Sequence, residues 1–131
     1  MTKYVIGPDV ALLLAHNETE IRDDVEILAP TLIRSQLLSL LHQAANRGEL
    51  TRKDADRQLD YFRGLRIRLL GDRVLQRVAW KIADQLGWPD TFDAEYIALT
   101  QLQADAFVTL DERLAHAVKD LVTVASMDEL H

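Results

Sequence analysis

Residues 91–111, TFDAEYIALTQLQADAFVTLD, decide how this chain is read. From Asp93 onward, Ala94, Ile97, Ala98 and Leu102 recur at helical spacing and predict one buried helix face. Asp90 or Thr91 suits the start, where a side-chain oxygen accepts from the free N–H groups of the first turn. Ala106–Leu110 then reads as a short buried strand, rich in branched and aromatic residues. A helix of about eleven residues climbs roughly 16 Å. A strand of about six or seven residues descends about 20 Å. The two nearly cancel, so Asp111 returns to the level of Asp93. Two carboxylates then meet at the carboxyl end of a strand, where open α/β sheets place their sites. The same two residues also suit purely local roles, since acids favour helix starts and Asp111 precedes a helical DERLAHAV.

Outward from that stretch, the chain alternates short apolar strands with helices. Lys3–Ile6 predicts a first strand, followed by Gly7-Pro8, with Pro8 suited to the first position of a helix carrying Val10, Leu13 and Leu14. Residues 16–24 read as a polar connection. Val25–Leu28 predicts a second strand, stopped by Ala29-Pro30. A long helix follows, with Leu32, Ile33, Leu37, Leu40, Leu41 and Ala44 on one stripe, closed at Arg47-Gly48. Thr51 caps a third helix running to about Arg63. Leu65, Ile67 and Leu69 alternate with Arg66 and Arg68, which predicts a half-buried strand with one cationic face. Val74, Leu75, Val78, Ala79, Ile82 and Leu86 stripe a fourth helix, stopped by Gly87-Trp88-Pro89. After Asp111 come a helix to Val118 and a last strand over Leu121–Val124. This order predicts an α/β sandwich on a mainly parallel sheet, with residues 1–131 as a single domain.

Composition narrows the function classes. The chain has 131 residues, 48% hydrophobic and 27% charged, with no cysteine. Disulfides and thiolate metal sites are therefore excluded. No apolar run approaches the roughly 20 residues of a membrane span. The opening MTKYVIG lacks the apolar stretch of a signal peptide, so a cytoplasmic protein is expected. The net charge of −6 argues against a broad phosphate-binding surface. It leaves room for a nuclease, because cations bound to clustered carboxylates reverse the local sign. An Asp-rich site without Cys favours hard ions such as Mg²⁺ or Mn²⁺.

At this point the chain resembles a known family. YVIGPDVALLLA (4–15), APTLIRSQLLSLL (29–41), RGLRIRLLGD (63–72), DAEYIAL (93–99) and FVTLDERL (107–114) look like a PIN domain, specifically a VapC-type toxin of a bacterial toxin–antitoxin pair. The last two stretches are the most specific. The resemblance implies a PIN-like α/β/α sandwich, metal-dependent RNA cleavage, a homodimer and inhibition by a cognate antitoxin. It places the family's metal-binding aspartates on Asp93 and Asp111, with Thr109 in the supporting threonine position. Two further acids of the family pattern are replaced, one by Gly7 and one by Gln36. Gly7 offers no ligand. Gln36 offers a neutral carbonyl oxygen that could help orient a ligand or water. Asp9, two residues past Gly7, restores a third carboxylate if its side chain turns inward, and is otherwise a solvent-facing helix-start residue.

Arg63, Arg66, Arg68, Arg73, Arg77 and Lys81 stand against the single acid Asp72 over residues 63–81. That asymmetry marks Arg66, Arg68, Arg73 and Arg77 as candidates for contacting RNA phosphates or an acidic antitoxin segment. A solvated face with local ion pairs is the alternative. His16, His42, His116 and His131 show no ligand spacing and are expected on the surface. Trp80 and Trp88 are expected in the core, with base stacking as the alternative. Tyr96 is expected to pack beside the site.

Three functions remain in view. The first is a ribonuclease toxin using Asp93, Asp111 and Asp9 with Mg²⁺ or Mn²⁺. The second is a depleted PIN-like module that binds RNA or antitoxin without cutting, motivated by Gly7 and Gln36. A phosphoacceptor domain is the third. It lacks the acidic pair after the first strand and a lysine ending the last.

Overall fold

The computed structural model describes residues 1–131. Five strands form one parallel sheet in the order β3-β2-β1-β4-β5. They are β1 (Thr2–Ile6), β2 (Val25–Pro30), β3 (Ile67–Leu70), β4 (Ala106–Val108) and β5 (Val124–Ala125). The helices are α1 (Pro8–Asn17), α2 (Leu32–Asn46), α3 (Arg52–Gly64), α4 (Arg73–Leu86), α5 (Phe92–Gln103) and α6 (Glu112–Val118). A short 3₁₀ turn, Met127–Leu130, closes the chain. This is the expected α/β sandwich on a parallel sheet. No helix is long and apolar enough to cross a membrane.

The topology follows from the handedness of parallel crossovers. From β1 the chain moves outward through α1 to β2, then through α2 and α3 to β3, and these three helices pack on one another. It then reverses, carrying α4 and α5 back across the sheet to β4 on the other side of β1. Right-handed crossovers in opposite directions lie on opposite faces. The reversal leaves β1 and β4 as neighbours whose connections diverge. Such a point opens a crevice beyond the carboxyl ends of the two strands.

Local chemistry explains the boundaries. Thr51 starts α3 with a reciprocal capping box to Asp54, as its spacing predicts. Asp72 starts α4 by accepting from the Leu75 N–H at 2.9 Å. Gly48 and Gly87 end helices in the left-handed region, at φ 74° and 68°.

Four expectations need correcting. β2 includes Ala29 and Pro30; Pro30 sits at the strand end, where its missing N–H is harmless, and the next donor, Thr31 N–H, reaches the Leu70 carbonyl at 3.2 Å. β4 spans three residues and stops at Val108, because Leu110 N–H is taken by a side chain instead of a strand. The last strand is Val124–Ala125 rather than Leu121–Val124. The N–H groups of Leu121 and Val122 both turn back to the Val118 carbonyl, finishing a helical turn. α1 runs into the expected polar connection, to Asn17.

Burial also departs from the simple stripe. Along α5, Ala94, Tyr96, Ile97, Ala98, Leu99 and Thr100 are all buried, while Leu102 is exposed. The helix is covered on two sides, by the sheet and by α4, so a single apolar stripe does not describe it. Leu40 and Val74 are likewise exposed, and Trp80 lies in solvent rather than in the core. Trp88 packs partly buried against the core. The four histidines are exposed, as expected.

Candidate active site

The crevice beyond β1 and β4 collects the acids that the spacing picked out. β1 runs to Ile6, and Gly7 continues its pairing by donating its N–H to the Val108 carbonyl at 3.1 Å. The chain then enters α1 at Pro8, which puts Asp9 in the first helical turn beside the end of β4.

Asp9 points inward. Its Oδ1 accepts from the Val10 N–H at 2.8 Å. Its Oδ2 accepts from the Thr109 hydroxyl at 3.1 Å and from the Leu110 N–H at 2.8 Å. The same carboxylate fills the room left by the glycine: a Cβ at residue 7 would lie 2.6 Å from Asp9 Oδ1. The Gly7 backbone, at φ −76° and ψ 166°, is open to any residue. Space alone is what excludes a side chain there. The acid expected at residue 7 is thus absent, and a carboxylate from residue 9 stands in its place.

Asp9 therefore clamps the β4–α6 connection to the start of α1. Bonds to a charged acceptor contribute about 1.5–3 kcal/mol each. Asp9→Ala is expected to lower unfolding stability by about 2–3 kcal/mol, with Asp9→Asn intermediate. Urea midpoints at neutral pH check this; an unshifted midpoint would remove the clamp.

Thr109 links two of the acids. Its hydroxyl donates to Asp9 and accepts the Asp111 N–H at 3.1 Å. Asp111 in turn starts α6, with Oδ1 accepting from Arg113 N–H at 3.0 Å and Leu114 N–H at 3.1 Å. The helix-start reading of Asp111 holds. One oxygen serves the helix, and Oδ2 has no partner in the protein.

Asp93 sits in the first turn of α5 and makes no hydrogen bond within the chain. The turn is capped from Asp90, which accepts the Phe92 N–H at 3.2 Å; the Thr91 side chain makes no cap. Asp93 reaches solvent, yet surrounding protein strips enough water from its carboxyl to push its pKa above the usual range. The carboxylates of Asp90, Asp111 and Asp9 push it further the same way. The three expected acids therefore lie within electrostatic reach of one another. Asp90 joins them, as an acid three residues ahead of Asp93 that sequence reading treated only as a cap.

Gln36 comes from α2, beyond the end of β2. Its Oε1 accepts the hydroxyl of Tyr96. Tyr96 is buried, its ring tilted against Phe107 at 6.3 Å. Burial, followed by Glu95, Asp93 and Asp9, holds its phenol strongly toward the neutral form. The phenol takes the carbonyl end of Gln36 and leaves the amide N–H groups as the free end. Gln36 is thereby set up as a donor rather than as a cation ligand.

A hard dication tests this donor set. No group of three His, Asp or Glu side chains encloses a point where an ion could sit. Both Asp9 oxygens are already engaged. The free donors are the Asp93 carboxylate and Asp111 Oδ2. Magnesium sites of this kind use one or two carboxylates, several waters and substrate phosphates. The residues fit that substrate-supported mode and do not form a closed protein cage.

The cationic stretch does not form one patch. Arg63 pairs with Asp60, and Arg68 lies 3.7 Å from Glu26 on the neighbouring strand. Arg66 precedes β3 and lines a surface with Met1, Arg22 and Asp23 near the strand starts. Arg73 and Arg77 lie past the carboxyl end of β3, on α4. Arg66 and the pair Arg73 and Arg77 thus flank β3 at its opposite ends.

No protein-family model matches the chain, and no curated protein is similar to it in sequence. Solved structures are similar in fold. VapBC2 from Rickettsia felis, bound to a DNA fragment from their promoter, contains a chain that matches with a TM-score of 0.69 at 9% identity, over 95% of this chain and 98% of its own. PAE2754 from Pyrobaculum aerophilum matches with a TM-score of 0.69 at 19% identity, over 97% and 90%. VapBC-1 from nontypeable Haemophilus influenzae matches with a TM-score of 0.66 at 13% identity, over 97% and 99%. At these identities the likeness is one of fold, and it agrees with the resemblance carried by the motifs: the chain has the fold of a VapC-type PIN domain.

Proposed function

We propose that this protein is the toxin of a toxin–antitoxin pair, a divalent-cation-dependent endoribonuclease working in the cytoplasm. The observation that carries this reading is the convergence of Asp9, Asp93 and Asp111 at the crevice between β1 and β4, with the Asp9 carboxylate in the room vacated at residue 7. Asp93 and Asp111 Oδ2 would hold the ion, with the Asp9 charge beside them. Bound there, Mg²⁺ or Mn²⁺ supplies positive charge to an attacking water and to the phosphodiester.

The chain's own groups do the positioning. Asp9 and Thr109 hold the β4–α6 connection, and so Asp111, against α1. The Tyr96 phenol occupies the Gln36 carbonyl oxygen and leaves its amide N–H groups without a partner in the protein, and such groups suit a phosphate oxygen or the attacking water. The unsatisfied charge at Asp93 is what a cation would relieve. A cognate antitoxin and a homodimer are proposed with the same reading. The motif resemblance supports both, and the VapBC proteins among the structural neighbours support the antitoxin.

A second reading keeps the fold and drops the cleavage, leaving a module that binds RNA or antitoxin. Two observations favour it: the Asp9 oxygens are both committed to the protein, and no three acids enclose an ion. Asp111→Asn separates the readings. Asn starts helices as well as Asp, so α6 should persist while the charge is lost. Under the nuclease reading, Mg²⁺- or Mn²⁺-dependent cleavage of RNA by purified protein is lost with this variant, at unchanged thermal stability. Cleavage at the wild-type rate would refute the nuclease. Absence of cleavage by the wild type, with RNA or antitoxin binding retained, would establish the second reading.

A further inference from the structure

Helix α4 carries two faces. Leu75, Ala79, Ile82 and Ala83 turn inward and are buried. Arg73, Arg77, Trp80, Lys81 and Asp84 recur at three- and four-residue steps and line one exposed surface with Gln76. Residues so spaced are neighbours along a helix. This surface has three cations and one acid, in a chain whose net charge is −6. Every ion pair in the structure lies elsewhere, so Arg73, Arg77 and Lys81 are unpaired. Trp80 is 68% exposed, close in sequence to Val74 at 55%. A large indole left open among free cations marks a contact surface rather than a packing defect.

We infer that the outer face of α4 is a docking surface for single-stranded RNA, with Trp80 stacking on a base and Arg73, Arg77 and Lys81 contacting phosphates. The helix presents a cation about every 6 Å along its axis. Cations following a backbone beside an aromatic platform are the recurring design for single strands, and the stacking tolerates any base. A second copy of this chain fits less well, because a two-fold contact sets the same patch against itself and opposes cations to cations. α4 also leads through residues 87–91 into α5, whose first turn carries Asp93. The surface takes its substrate class from the nuclease reading, but binding here does not require cleavage.

The test is binding of a labelled mixed-sequence RNA oligonucleotide of about twelve nucleotides, followed by anisotropy in EDTA, where a metal-dependent nuclease is silent. Trp80→Ala is expected to weaken binding about tenfold or more, and Trp80→Phe to weaken it less. Replacing Arg73, Arg77 and Lys81 together by Gln should flatten the slope of log K against log salt by about 2, at about 0.7 per phosphate contact. Circular dichroism and sedimentation run on the same variants. Wild-type affinity and salt slope in both folded variants would overturn the proposal. So would Trp80→Ala converting a dimer to a monomer at unchanged RNA affinity, which assigns the face to a contact between copies. So would loss of antitoxin binding alone. If α4 binds RNA that the crevice never cuts, the docking surface stands and the nuclease falls. If RNA is cut while α4 variants bind normally, the reverse holds.

Discussion

Asp93→Asn is expected to abolish RNA cleavage while making the folded protein more stable. Asp93 is the one acid of the crevice with no hydrogen bond in the protein, and its pKa is raised, first by burial and then by Asp90, Asp111 and Asp9. Removing a single preorganised electrostatic group from a site typically costs 10²–10³ in rate, and a loss of about that size is expected here. The stability effect runs the other way. An acid whose native pKa lies above its ordinary value, 3.8, keeps its proton longer in the native state. Its contribution to stability is present below pH 3.8 and is lost as pH rises through the native value. The wild type should therefore lose ground to the Asn variant from about pH 4 upward. Urea midpoints for both proteins between pH 4 and 8 measure the difference. Mg²⁺ should stabilise the wild type and leave the variant unchanged, since ligands of the native state stabilise by mass action. A variant that cleaves normally, or a wild type indifferent to Mg²⁺, contradicts the proposed role.

The second large effect concerns residue 7. Gly7→Asp, which puts the expected family acid back, is expected to damage the protein rather than repair it. The new Cβ would lie 2.6 Å from Asp9 Oδ1. The Asp9 carboxylate can move only by giving up its bonds to Val10, Thr109 and Leu110. Loss of two or more charge-assisted bonds predicts about 3 kcal/mol or more of destabilisation, enough to leave a marginal domain largely unfolded when warmed. The double variant Gly7→Asp with Asp9→Ser clears the obstruction and moves the carboxylate back two residues along the chain. It should be about as stable as Asp9→Ala, because the crowding is gone while the Asp9 bonds to Thr109 and Leu110 are lost in both. Its metal affinity and cleavage rate then report whether the natural arrangement is weakened. A gain shows that the Asp9 position is the poorer one, and no gain shows that Asp9 already supplies the charge. A fully stable Gly7→Asp single variant would show that the crowding is relieved some other way.

The arrangement makes a broader physical point. A carboxylate can be shifted by two residues and still serve the same crevice, because the start of α1 folds back over the end of β1. The shift has a cost. At residue 9 the side chain lies within reach of the β4–α6 backbone and is recruited to hold it, so charge and clamp become one function. Asp111 shows the same economy, with one oxygen on the helix start and one free.

Much of this protein was legible from its order of residues. Apolar periodicity set the alternation of strands and helices, since each pattern must bury one face. Thr51, Asp72, Gly48 and Gly87 marked helix ends, since caps are local chemistry. The DAEYIAL and FVTLD stretches marked Asp93 and Asp111 as the outer ends of one helix–strand unit, because apolar period and cap chemistry are read residue by residue. Only the tertiary structure decided the rest. Whether Asp9 faces water or the crevice depends on Leu110 and Thr109, about a hundred positions away. Gln36 is turned by Tyr96 from another layer, and Trp80 is left outside because α5 takes the space beneath its helix. The division has one cause: spacing along a chain determines which face a residue shares, while the neighbour that meets that face is chosen only when the layers close.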